Sequence, residues 1–357
     1  MLENRYDVVI VGSGPAGAAA AQAIRRLSLS SVILEKARLP RYKMCSCILF
    51  PSACKVIADD FGPVPKDVLS EPACVHGNRV YVNLDGPAAT APFSVFDVGP
   101  GLSEDGLNVK RSELDHWLCR QSESPIVDDC LFRAFRQDGD DLVLELRQGG
   151  GDIEIRTRYL VGADGTRSAV RGALSSGFEQ TLRLIPNYEE WYTGDIDLEP
   201  EWLYLFFDRT ITGYFATVFH KDGNIIVVTG TRQGEPVKER FRRFASFLEE
   251  RHGLAVEKRT ARSGCSVHDM AATDNYLLGE GNVLLAGEAG GFNRCGEGIT
   301  SALVTGQAAG ESILRAIESG RSAFESYPEA VAAEIQACTR VNKLIEQAVG
   351  LNPFTRD

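Results

Sequence analysis

Apolar positions along this chain follow two periods, and the change from one to the other predicts its architecture. Asp7-Val8-Val9-Ile10-Val11 is a short continuous apolar run, the pattern of a strand buried on both faces. Gly12-Ser13-Gly14-Pro15-Ala16-Gly17 then predicts a tight turn, and an alanine-rich helix carries on to about Leu27. Ser31-Val32-Ile33-Leu34 predicts a second strand, ending at Glu35. The middle of the chain reads differently. Glu190 to Ile196, Trp202 to Phe207, Gly213 to Phe219 and Asn224 to Gly230 are aromatic or β-branched runs separated by turn signals such as Lys221-Asp222-Gly223, which predicts a sheet. Pro236 to Arg251 predicts an amphipathic helix after it.

Three further segments join a strand to a helix. Asn108 to Leu118 reads as a strand end leading into a helix with Arg111 at its start, and Tyr159 to Arg171 as a strand running into an Asp164-Gly165 turn with basic residues after it. From Asn282 an apolar strand runs into Gly287-Glu288-Ala289-Gly290, and Gly296-Glu297-Gly298-Ile299 opens a long helix. The tail from Ser322 to Asp357 predicts a helix with apolar positions at Ile335, Val341, Leu344, Ile345 and Val349. Packing on the nucleotide-binding part is its expected use; membrane-surface or subunit contact is the alternative, and no strongly basic face favours it.

The first turn carries chemistry. Its glycines permit the bend, let backbone approach a pyrophosphate and allow the helix to sit close on the strand, while the helix N-terminus offers N–H groups to phosphate oxygens. Gly12, Gly14, Pro15, Ala16, Gly17, Glu35 and Lys36 are therefore candidate cofactor contacts. The acid after the second strand suits ribose hydroxyls and disfavours a 2′-phosphate, which leaves NAD or FAD. A purely structural glycine turn is the bland alternative, and the strand, helix and acid around it argue against that.

Composition narrows the partners. A formal net charge of -11 over 357 residues disfavours nucleic acid and anionic lipid, and points to a small or neutral ligand or a basic protein partner. No run of about 18 apolar residues and no signal-peptide pattern occurs, so a cytoplasmic protein is expected. Nine cysteines, an odd number, fit reduced thiols better than a disulfide framework.

At residues 108–118, 162–171 and 287–299 the sequence resembles the FAD-dependent oxidoreductases of the p-hydroxybenzoate hydroxylase-like fold, whose "DG" and "GD" motifs match in the same order. Lys43-Met44-Cys45-Ser46-Cys47-Ile48-Leu49-Phe50-Pro51-Ser52-Ala53 is similar to the geranylgeranyl reductase family's K-P-C-G-G-G-L-S-P-R-A segment, and Gly296-Glu297-Gly298-Ile299 to its G-E-G-I. The resemblance implies an α/β protein: a Rossmann-like FAD-binding domain (residues 1–71, 101–175 and 269–321) with an interleaved α+β substrate domain built on an antiparallel sheet (72–100 and 176–268), then the helical tail (322–357). It also implies FAD contacts at Cys45, Arg111, Asp164, Gly287, Glu288, Gly296, Gly298 and Ile299. Glu288 stands where aspartate is commoner. Thr217 and His220 stand where the family carries tryptophan and proline, so a long polyprenyl substrate is not implied.

The reaction expected is reduction, or dehydrogenation, of carbon–carbon double bonds in an apolar or isoprenoid-like small molecule, with hydride from flavin N5 and a proton from the protein. Cys45 is the first candidate donor, its thiol being mostly protonated at neutral pH if unperturbed; a small packing residue is the plain alternative. Cys295, before the long helix, suits a thiolate role, and Tyr214 and His220 are cavity candidates for which packing or a surface position is the plainer reading. No second glycine unit serves a nicotinamide, so the electrons come from a transient NAD(P)H or from a reduced carrier, including an electron-donor protein. An aromatic hydroxylase or other monooxygenase is the second reading and a non-catalytic flavin electron-transfer protein the third; no W-x-W-x-I-P segment supports a halogenase. No metal is expected: Cys45, Cys47 and Cys54 lack a fourth ligand. His268-Asp269 has no nucleophile motif beside it.

Overall fold

In a computed structural model the described residues are all but 1, 28, 83, 85, 92–104, 209–210, 269–274, 295–296 and 350–357. Five parallel strands form the centre of the first sheet, in the spatial order Val283–Leu285, Gly151–Gly162, Arg5–Val11, Ser31–Leu34 and Ile126–Val127. The strand Arg5–Val11 is covered on both faces, as its continuous apolar run requires. Val8 and Ile10 point into a core shared with the helices Pro15–Ile24 and Ile299–Ser319, whereas Val9 and Val11 pack with Leu144, Leu160 and Val170 on the other side. The hairpin Cys130–Asp138 and Asp141–Gln148 joins this sheet antiparallel to Gly151–Gly162.

Small residues bring the two helices together. A Cβ on Gly306 would lie 2.2 Å from the carbonyl oxygen of Ala16, and one on Gly310 2.5 Å from the Ala23 Cβ, so both positions have room only for hydrogen.

The second sheet has seven strands in the order Ala255–His268, Leu184–Asp195, Asn224–Gly230, Phe215–Lys221, Leu203–Phe206, Asn78–Tyr81 and Ala89–Ala91. All neighbours are antiparallel except Leu203–Phe206 and Asn78–Tyr81. The helix Val237–His252 buries Phe241, Phe244, Phe247 and Leu248 against one face, on Phe206, Ala216, Val218 and Val227. Residues of the opposite parity, Leu203, Phe219, Ile226 and Val228, pack on Ile48 and Val75 of a three-stranded sheet formed by Ile48–Leu49, Gly106–Val109 and Leu69–Val75. Period-two alternation thus gives this sheet one face for a helix and one for a site.

The structure departs from the sequence expectations at four places. The strand expected from Glu190 begins at Leu184, and the run expected from Gly213 begins at Phe215. The fourteen-residue strand Ala255–His268 was not anticipated, because it is a sheet edge whose first half is exposed and charged and shows no apolar period. The tail helix starts at Tyr327 rather than Ser322, after a short 3-10 turn at Ala323–Glu325. Its Tyr327 and Val331 enter the first core, and the Tyr327 hydroxyl donates to the carbonyl of Leu285 at 2.9 Å, so the tail packs on the parallel-sheet layer. Among the described residues no helix is long and apolar enough to cross a membrane.

Candidate functional site

The glycine turn is held by sterics at two positions and left open at a third. Gly12 has φ +112° and a Cβ there would lie 2.3 Å from the Ala163 oxygen, while a Cβ on Gly17 would lie 2.0 Å from the Gly12 oxygen. Gly14 is extended, and a Cβ on it would meet only the guanidinium nitrogens of Arg41 and Arg111, each 4.0 Å away. Two planar cations therefore flank the open side of the turn at the N-terminus of Pro15–Ile24, where Pro15 takes a first-turn position. That combination suits an anionic diphosphate.

A chain of alternating charges fixes both arginines. Buried Glu35 accepts from Ser13 Oγ at 2.7 Å, Ala37 N at 3.0 Å and Arg41 Nε at 2.9 Å. Arg41 reaches Asp115 at 3.1 Å, and Asp115, fully buried, accepts from Arg111 Nε at 2.7 Å. Burial opposes ionisation of Glu35, but the Arg41 charge and the hydrogen bonds outweigh it and hold the carboxyl below its ordinary range. Glu35 thus orients Arg41 as well as facing the turn. Lys36 beside it is exposed. Sequence reasoning missed Arg41 and Asp115; the i,i+4 pair Arg111–Asp115 was the available signal.

On the other side, Asp164 accepts from Ala169 N at 2.6 Å and Val170 N at 3.2 Å through Oδ2, while its buried Oδ1 has no partner among the described residues. Burial raises its pKa. Glu288 accepts from the Thr166 hydroxyl at 2.6 Å and from His268 N at 3.0 Å, so the Asp164 turn and the Glu288 turn are joined. Arg171, fully buried, joins them again by donating to the carbonyls of Thr166 at 2.7 Å, Ala289 at 2.9 Å and Glu288 at 3.3 Å. Gly287, at φ +59°, donates its N–H to Thr305 Oγ1 at 2.8 Å. The open face at Gly14 and the unmatched Asp164 oxygen are what the diphosphate and hydroxyl groups of FAD would complete.

At the start of the helix Ile299–Ser319, with Gly298 before it, Glu297 Oε1 accepts from Ile299 N at 3.1 Å and Thr300 N at 2.9 Å, so two of the first-turn N–H groups are already capped by a carboxylate. Cys295 and Gly296 lie outside the described residues.

A cavity of about 220 Å³ opens between this helix start and the second sheet. Phe215, Thr217 and Phe219 enter its wall at every second position, joined by Leu203, Leu205 and Val228, and Cys45, Ser46, Gly298 and Ile299 close the cofactor side. Tyr214 lies in the wall because it precedes the strand. His220 has the opposite parity and is not among the lining residues; its carbonyl accepts from Asn108 Nδ2 at 3.0 Å. Burial lowers the pKa of His268, also in the wall, to about 4.

Two polar groups stand out in this apolar space. Asn78 is fully buried, and neither its Oδ1 nor its Nδ2 has a partner among the described residues. Glu189, also buried, accepts from the Tyr42 hydroxyl and from Trp191 Nε1 at 3.2 Å. Burial raises the Glu189 pKa, outweighing both donors, so the carboxyl leans to its neutral form. Neither residue was singled out in the sequence.

Cys45 is a correction. The Cys47 thiol donates to its sulfur; burial works against charge, but the Arg111 and Lys43 cations and the Cys47 N–H, at 3.3 Å, add to the first effect and hold Cys45 well below the ordinary thiol range. A sulfur that leans to thiolate is a poor proton donor. Cys54 instead donates to the Leu49 carbonyl at 3.6 Å. Among the described residues, only Cys74, His76 and Asp105 bring three ligand-type atoms within 4.8 Å of one another, and His76 is exposed.

Comparison with known proteins gives this geometry a context. Residues 114–289 match the FAD binding domain family. The chain is 26% identical over 315 residues to protein CbrA of Escherichia coli strain K12, spanning 84% of this chain and 82% of that protein. Its fold is similar to a geranylgeranyl bacteriochlorophyll reductase-like protein from Thermoplasma acidophilum, with a TM-score of 0.74 at 17% identity over 97% of this chain and 84% of the other. It is likewise similar to p-nitrophenol 4-monooxygenase PnpA from Pseudomonas putida DLL-E4, with a TM-score of 0.70 at 16% identity over 96% of this chain and 89% of the other.

Proposed function

We propose that the chain, whose residues 114–289 match the FAD binding domain family, is an FAD-dependent oxidoreductase that reduces, or in reverse dehydrogenates, a carbon–carbon double bond of a compact apolar molecule. The observation that carries this reading is Glu189: a buried carboxyl whose pKa is raised by burial, in a largely apolar cavity wall that also holds Asn78, His268, Arg294 and Glu297. Alkene reduction needs one proton at a carbon beside the hydride, and a buried carboxyl that leans to its acid form can give it.

FAD, once bound and reduced, would supply the hydride at N5. The protein does the rest. Gly12, Gly14 and Gly17 would bring backbone to the diphosphate, Arg41 and Arg111 would donate hydrogen bonds to it, and Asp164 would offer its spare oxygen to the hydroxyls beyond. Phe215, Phe219, Leu203 and Leu205 bind the substrate by exclusion of water, and Asn78 orients any polar end it carries. Glu189 donates its proton, and the Tyr42 hydroxyl and Trp191 indole then stabilise the carboxylate left behind. The cavity is smaller than the ~300–1,000 Å³ usual for drug-sized ligands, which favours a short isoprenoid-like or cyclic enone-like substrate over a long polyprenyl chain.

An aromatic hydroxylase is the second reading, favoured by the ring-rich wall of Phe207, Tyr214, Phe215 and Phe219 and by the fold shared with a phenol monooxygenase. Photoreduced protein mixed anaerobically with a panel of unsaturated compounds tests the first reading; hydroxylated product formed only when oxygen and an aromatic compound are both present would replace it with the second.

A further inference from the structure

We propose that Cys45 and Cys47 form a redox-active dithiol through which electrons from an external dithiol reach the flavin. This assigns the electron donor of the proposed oxidoreductase and rests on that reading for its acceptor.

The pair is built, not incidental. Cys47 adopts a left-handed backbone at φ +49°, uncommon for a non-glycine residue, and this bend turns its N–H and thiol back onto the Cys45 sulfur. The bend is clamped on both sides. Val109 N donates to the Cys47 carbonyl at 3.1 Å, and the buried Lys221 ammonium donates to the Ser46 carbonyl at 2.7 Å and to the Val109 carbonyl at 2.7 Å. A lysine from the second sheet thereby fixes a three-residue segment of the first layer, with its charge beside the two sulfurs.

Access differs between the two thiols as a nucleophile and its resolving partner require. Cys45 is half-buried and lines the cavity, whereas Cys47 is fully buried behind it. Cys45 also sits among Arg111, Lys43 and Lys221, cations that favour its thiolate, while burial keeps the Cys47 proton in place. The other described cysteines of the first core lack this arrangement: Cys119, for example, donates to the Ser13 carbonyl and is pushed up by burial.

The step balances. The Cys45 thiolate and the Cys47 thiol form one S–S bond, the Cys47 S–H bond breaks, and one proton and two electrons pass to oxidised FAD, which becomes the singly protonated reduced anion. An external dithiol then reopens the bridge: its thiolate attacks the cavity-facing Cys45 sulfur, Cys47 leaves and takes up a proton, and the second donor thiol closes the donor's own disulfide, releasing Cys45 as thiolate. Over the cycle one dithiol is oxidised, one FAD reduced, and one proton released.

The test is an anaerobic reductive titration of the FAD-loaded protein with dithiothreitol and, separately, with dithionite, alongside peptide mapping of the air-oxidised protein. The expected results are a Cys45–Cys47 cross-linked peptide, four electrons taken up per flavin with dithionite, and bleaching by dithiothreitol; Cys47→Ser should take up two electrons and lose the bleaching. Cys45→Ala, which needs no new polar group in the core, serves if Cys47→Ser does not fold. Two electrons per flavin with no cross-link in the wild-type protein overturns the proposal. The mapping is also made on FAD-free protein, so loss of FAD binding, which would sink the cofactor reading, is seen separately from absence of the bridge.

Discussion

The guanidinium of Arg171 donates to the main-chain oxygen of Ala289 at 2.9 Å, across 118 residues of sequence, with no exposed surface on its side chain. With its bond to Thr166 this makes Arg171 the rivet between the Asp164 turn and the Glu288 turn. Arg171→Met keeps the apolar stem and leaves three carbonyls without their charged donor. It should cost about 3 kcal/mol or more of stability, since hydrogen bonds to a charged group contribute roughly 1.5–3 kcal/mol each. Chemical denaturation would show this, and FAD affinity should fall with it; a variant as stable as the parent would mean the turns are held elsewhere.

The two glycines of the first turn should behave differently. Gly17→Ala places a Cβ 2.0 Å from the Gly12 oxygen and should destabilise the protein whether or not FAD is present. Gly14→Ala meets nothing closer than 4.0 Å and has an ordinary backbone, so its cofactor-free melting temperature should match the wild type while FAD binding weakens by tenfold or more. Equal losses of cofactor-free stability in both variants would contradict the assignment of Gly14 as the open face.

Glu189 makes stability depend on pH in a stated direction. Its pKa is raised in the folded protein, so its favourable contribution is complete below the unfolded carboxyl value of ~4.3 and is lost as pH rises through the folded value. Glu189→Gln carries no such titration. The melting-temperature difference, wild type minus Glu189→Gln, should therefore decrease as pH is raised from 4 through the folded value of Glu189 and level off above it; a difference that stays flat or grows would show that burial does not raise the Glu189 pKa.

What the sequence disclosed follows from which physical constraints are local. The Gly12–Gly17 turn, the Arg111 helix start and the Asp164 turn were legible because sterics and helix termini act over a few residues. The Arg41–Asp115 bond and the Arg171–Ala289 bond were not, because those partners are 74 and 118 residues apart and a buried ion network leaves no periodic trace. Glu189 was hidden for another reason. With the strand taken to start at Glu190 it fell outside any element, yet in the full strand Asn187 and Glu189 share the cavity face while Tyr188, Glu190 and Tyr192 bond one another on the face toward the helix. The lowered pKa of the Cys45 thiol leaves no sequence signal either, since the effect of Cys47, Arg111 and Lys43 appears only when the chain is folded.

The central claim is that Glu189 protonates a carbon of an unsaturated substrate beside bound FAD. The most direct measurement is the anaerobic stopped-flow reoxidation of reduced wild-type protein and its Glu189→Gln variant by the best substrate from an enone and short isoprenoid panel. Wild type should be reoxidised with saturated product, and Glu189→Gln, with FAD still bound, should be slower by about 10² or more, as loss of a general acid requires. Equal rates in the two proteins, or reoxidation by oxygen alone across the whole panel, would contradict it.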